Sequence, residues 1–86
     1  MQLEPDEIKA IVTRLKRANG HLGSVIRMLE EGAECEDALL QLAAVSKAIS
    51  RGGYALVATG LEQCIAEGGR ESVDAKKMEK LFLALA

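Results

Sequence analysis

Residues 39–65 read LLQLAAVSKAISRGGYALVATGLEQCI, and how this stretch folds decides the architecture. Leu39, Leu42, Val45, Ile49, Leu56, Val57, Leu61 and Ile65 recur at spacings of three and four, the period of one face of an α-helix. Gly52, Gly53 and Gly60 lie inside that pattern, and each costs a helix about 1 kcal/mol relative to alanine. Arg51-Gly52-Gly53 could therefore be a turn that splits the segment in two. The apolar period is the same on both sides of the glycines, and small residues let another helix approach closely. One continuous helix is expected, starting near Glu34 to Asp37 and ending at Gly68-Gly69.

Working outward, Pro5 followed by Asp6 and Glu7 suits a helix start, with proline in the first turn and acids at the positive helix end. Ile8, Ile11, Val12, Leu15, Leu22, Val25, Ile26 and Leu29 continue as an apolar stripe, and Gly32 closes it. Downstream, Ser72 is a candidate N-cap for a short helix with Val73, Met78, Leu81, Phe82 and Leu85 on its apolar side. The expected fold is all-α: a long antiparallel helical hairpin plus a short C-terminal helix, in one domain over residues 1–86.

Composition sharpens this. The chain is 49% hydrophobic but only 2% aromatic, so its core is aliphatic, and 86 residues are too few to bury so much aliphatic surface alone. Self-association is expected. The start is acidic and polar, unlike a secretory signal, and no window is apolar enough to span a membrane. A cytoplasmic location is expected. There, two cysteines are metal-binding, catalytic or redox-sensing more often than structural.

Cys35 and Cys64 are 29 positions apart, which on one helix is about 43 Å. They cannot meet within a chain, but they can meet between two chains. If two copies of this helix pack antiparallel with Cys35 facing Cys64, residue i lies opposite residue 99 − i. The dyad then falls between Ile49 and Ser50, Leu42 meets Val57, Val45 meets Tyr54, and the glycine-rich centre allows close contact. Tyr54 is expected at that seam. The alternative is that each cysteine is a small buried hydrophobe. Cys35 is expected at a helix N-terminus, whose positive end favours a thiolate, while Glu34, Glu36 and Asp37 beside it oppose one.

The net charge of −2 excludes nothing, but its distribution is uneven. Residues 9–27 carry Lys9, Arg14, Lys16, Arg17 and Arg27 without an acid, whereas acids dominate 30–37; Lys47 and Arg51 follow on the second helix. By itself this is a solvated helix face.

The segments Arg14-Leu15-Lys16-Arg17-Ala18-Asn19-Gly20-His21-Leu22, Arg27-Met28-Leu29-Glu30-Glu31-Gly32, and Cys35 with Gln41-Leu42-Ala43-Ala44-Val45 resemble the first two helices of the copper-sensor-like (CsoR/RcnR/FrmR) repressor family. The likeness covers about residues 5–67. It implies a three-helix subunit, an antiparallel dimer and a dimer of dimers that binds double-stranded operator DNA, not an enzyme. It also implies DNA contacts at basic positions of the two helices, here Arg14, Lys16, Arg17, Lys47 and Arg51. His21, at the edge of this set, is expected to be a surface or DNA-facing residue rather than a metal ligand.

Family members differ in what they sense. The copper sensors take a Cys at the position of Cys35, a His at that of Gly60 and a Cys at that of Cys64. Glycine supplies no ligand, although soft Cu(I) can bind two thiolates. Nickel and cobalt sensing wants several imidazoles, and His21 is the only histidine. The formaldehyde sensors pair a cysteine at position 35 with an N-terminal proline, where this chain has Gln2. The resemblance is greatest to the sulfurtransferase-repressor branch, which keeps both cysteines without the histidine. It implies a persulfide or polysulfide inducer acting at Cys35 and Cys64, with no cofactor; the alternative is Cu(I) held by the same two thiolates. Two other classes, a thiol sulfurtransferase and a protein-binding helical scaffold, are less favoured. No general base stands beside either cysteine for the first, and a salt-sensitive DNA affinity would exclude the second.

Overall fold

Pro5 at the first turn and Asp6 and Glu7 beside it open α1, Pro5–Glu30, in the computed structural model, which describes residues 4–69, 71 and 73–86. Gly32, at φ +81°, ends α1. Its N–H donates to the Leu29 carbonyl and that of Ala33 to the Met28 carbonyl, the Schellman pattern that closes a helix through a left-handed glycine. After this tight turn the chain reverses into α2, Cys35–Gly68, which runs unbroken through Gly52, Gly53 and Gly60. Gly69, at φ +73°, ends it. The third element, α3, Ala75–Leu85, starts at Asp74, whose carboxylate accepts the Lys77 N–H at 3.1 Å. Ser72, expected as that cap, lies outside the described residues. No strand occurs among the described residues.

The expected all-α hairpin with a short third helix is what forms. α1 packs along α2, and α3 packs back on the C-terminal half of α2. The long dimension of 53 Å matches the roughly 51 Å of a straight helix the length of α2. Among the described residues no helix is long and apolar enough to cross a membrane.

Two seven-residue rows form the hairpin seam: Ile11, Ala18 and Val25 on α1, and Ala38, Val45 and Gly52 on α2, all buried. Small residues at this seam let the helices approach closely, so the two central glycines serve packing within the subunit. A Cβ at Gly52 would lie 2.9 Å from Leu15 Cδ2, and one at Gly53 would lie 2.6 Å from Leu85 Cδ2. This corrects the expectation that the glycines face a partner. Val45 is 1% exposed, so the hairpin leaves none of it for a partner's tyrosine. Within the subunit Tyr54 stacks on Phe82 of α3, with ring centroids 6.1 Å apart and planes 26° from parallel, and stays 40% exposed.

A prediction follows for Gly52. The atom it crowds is the tip of a flexible leucine, and alanine gains helix propensity, so Gly52→Ala should stay within about 1 kcal/mol of the parent chain. Gly52→Leu needs the hairpin to open and should cost roughly 1–3 kcal/mol. Urea melts at fixed chain concentration measure both.

The apolar surface exceeds what three helices can bury. Leu39, Leu40, Leu42, Ile49 and Leu56 on α2 are between 39% and 71% exposed, and Ile26 and Leu29 on α1 are also exposed. Gln63, by contrast, is buried at 8% exposure, and its side-chain oxygen has no hydrogen-bond partner among the described residues.

Candidate functional site

Helical spacing builds a basic groove where α1 crosses the middle of α2. Arg14, Arg17, Ala18 and His21 stand at i, i+3, i+4 and i+7 on α1 and so share a face. Ala48 and Arg51, at i and i+3, face them from α2. The two alanines keep the floor low and the long arginines form the walls, leaving an open cleft of about 390 Å³. No carboxylate lines it. Three arginines line it without a counter-charge, a setting that favours an anion between them.

One polar contact ties the groove together. The His21 ring nitrogen Nε2 lies 2.6 Å from the Gln41 side-chain oxygen, a link between α1 and α2. Of the five basic residues expected to bind DNA, Arg14, Arg17 and Arg51 meet in the groove. Lys47 is exposed and precedes Arg51 by four residues, which puts it on the same side of α2. Lys16 is exposed but lies about 200° around α1 from Arg14, at 100° per residue, and does not line the groove. It shares the far face of α1 with Lys9 and Arg27. His21 enters the groove itself rather than standing at its edge. Its spacing of seven from Arg14 and four from Arg17 was the available signal; its partner Gln41 carried none.

The thiols are elsewhere on α2. Cys35 is its first residue and is exposed; Cys64, near the other end, is half-buried, and neither is in a disulfide. Gly60, one turn before Cys64, is buried. Within one subunit no group of three metal-binding side chains occurs among the described residues. Cys35, Leu39, Leu42, Ile49, Leu56 and Cys64 fall within about 100° of arc on α2. The four apolar members of this row are all exposed and lie between the two cysteines, while in the same arc Leu85 of α3 packs on Gly53 and Gly60 is buried.

Residues 7–86 match the family model described as metal-sensitive transcriptional repressor. The chain is 42% identical over 59 residues to a copper-sensing transcriptional repressor of Mycobacterium ulcerans, an alignment covering 69% of this chain and 50% of that protein. It is 31% identical over 77 residues to a copper-sensing transcriptional repressor of Mycobacterium tuberculosis, covering 90% of this chain and 65% of the relative. The YrkD protein of Bacillus subtilis is 36% identical over 53 residues, or 62% of this chain and 84% of that protein. The chain thus spans half to about two-thirds of the length of the copper-sensing relatives. No solved structure matches it.

Proposed function

The chain belongs to the metal-sensitive transcriptional repressor family, and on that premise we propose that it is a DNA-binding repressor switched by Cys35 together with Cys64 of the partner subunit. The observation that carries this is the row of exposed apolar residues on α2 that lies between the two thiols. Two such rows laid antiparallel bury the open leucines and set Cys35 of each chain against Cys64 of the other. Two of these dimers make the tetramer. The groove of Arg14, Arg17 and Arg51, flanked by Lys47, holds operator phosphates, with Lys16 contributing from the far face of α1.

The inducer in this proposal is a persulfide or polysulfide. The Cys35 thiolate attacks the terminal sulfur of a persulfide, R–S–S–H, giving Cys35–S–S–H and releasing the thiolate R–S⁻. The Cys64 thiolate of the partner subunit then attacks the cysteine-bound sulfur, forming the disulfide and expelling HS⁻. The sulfane sulfur is the oxidant and leaves as sulfide. Retention of further sulfurs from a polysulfide lengthens the bridge. Either bridge fixes one dimer shape and lowers DNA affinity.

A second inducer has a specific observation behind it: the Mycobacterium ulcerans and Mycobacterium tuberculosis relatives are named as copper-sensing. The two thiolates would hold Cu(I), with Gly60 offering no third ligand. Fluorescence anisotropy of the reduced protein on its own upstream DNA, challenged separately with polysulfide and with Cu(I), separates the two. Release by polysulfide, reversed by a thiol reductant, is the expected result. Release by stoichiometric Cu(I) but not by polysulfide would replace the sulfur switch with a two-thiolate copper switch.

A further inference from the structure

We infer that His21 is a phosphate contact that takes up a proton when DNA binds, with Gln41 as the residue that positions it. This rests on the DNA-binding proposal above and adds to it a residue and a linked proton.

The geometry constrains the ring. His21 Nε2 is 2.6 Å from the Gln41 side-chain oxygen. An amide oxygen can only accept, so Nε2 carries the hydrogen and donates it. In the neutral ring this leaves Nδ1 with a bare lone pair. His21 also lines the groove, so its neutral form has only an acceptor left to offer there. A phosphate oxygen is an acceptor too, and the two do not bond. Protonation at Nδ1 turns the mismatch into a charge-assisted hydrogen bond without breaking the link to Gln41.

The surroundings set the direction of the linkage. Arg14 and Arg17 face His21 from α1 and Arg51 faces it from α2, and no carboxylate lines the groove. A phosphate bound between these residues favours the imidazolium over the neutral ring. Binding therefore draws a proton from solution, and by reciprocity affinity rises as pH falls through the interval in which histidines change charge. The Gln41 bond bridges two helices, so losing it frees the ring to turn away from the groove.

The test is anisotropy of the reduced full chain on its upstream duplex at about pH 6 and about pH 8 at constant ionic strength, with calorimetry in two buffers of different ionisation enthalpy. The parent chain should bind about three- to tenfold tighter at the lower pH and take up protons on binding. His21→Gln should flatten the pH profile and abolish the uptake. Gln41→Ala, which keeps the histidine, should make the profile shallower at unchanged helix content, an effect that a merely structural role would not produce. A pH-independent affinity in the parent chain, or a profile that persists in His21→Gln, overturns the His21 assignment and leaves the DNA proposal standing. A profile untouched by Gln41→Ala overturns the positioning role. Failure to bind any duplex at either pH overturns the DNA proposal and this inference with it.

Discussion

Replacing Arg14 and Arg51 together by glutamate should weaken operator binding at least about a hundredfold. Both side chains line the same groove from opposite helices, and no carboxylate stands there to be displaced. Each reversal removes one cation and adds one anion facing the phosphates, and every subunit of the proposed assembly repeats it. Both residues are exposed, so helix content and melting behaviour should scarcely change. The salt dependence is the more telling observable. Each lost phosphate contact lowers the slope of log affinity against log salt by about one. Lys16→Glu is the comparison that tests the groove itself. Lys16 lies about 200° around α1 from Arg14, so its reversal should cost far less. If Lys16→Glu proved as damaging as the Arg14 and Arg51 pair, the far face of α1 would be the principal DNA surface.

Removing either thiol should abolish the response to polysulfide while leaving the reduced repressor on its DNA. After polysulfide treatment the parent chain is expected to migrate as a covalent dimer on a non-reducing gel. Cys35→Ala and Cys64→Ala should each migrate as a monomer. Mixing the two variants is decisive, because a dimer of one of each retains a single Cys35 opposite a single Cys64. That mixture should recover the covalent dimer in part, with its anisotropy response. A bridge formed by Cys35→Ala alone would mean that Cys64 meets its own copy, which the proposed antiparallel register forbids. A Cys64→Ala chain that left DNA as readily as the parent would sink the two-thiol mechanism.

Much of this architecture was legible from local rules. Pro5, Gly32 and Gly68-Gly69 punctuate the chain through backbone constraints that act within a few residues, and the observed helix ends fall at or beside them. The apolar period across residues 39–65 implied an unbroken α2 despite its glycines, and the helix runs through all three, with Gly52 buried against Leu15. The start of α3 marks the limit of such rules. Asp74 is the cap of α3, its carboxylate accepting the Lys77 N–H, whereas Ser72 lies outside the described residues.

The sequence by itself therefore determined the helices, the turn at Gly32, the aliphatic surplus, and the spacing that keeps Cys35 and Cys64 apart in one chain. Only the tertiary structure decided which face of each helix looks where. Periodicity gives relative angles around one helix and says nothing of the neighbour's azimuth. Gly52 could not be assigned to α1, nor Gly53 to α3, until Leu15 and Leu85 were seen against them. Likewise five basic residues looked equivalent in the chain. Packing α1 on α2 gathers Arg14, Arg17 and Arg51 around His21 and leaves Lys16 behind, because a helix presents only one arc of its circumference to any partner.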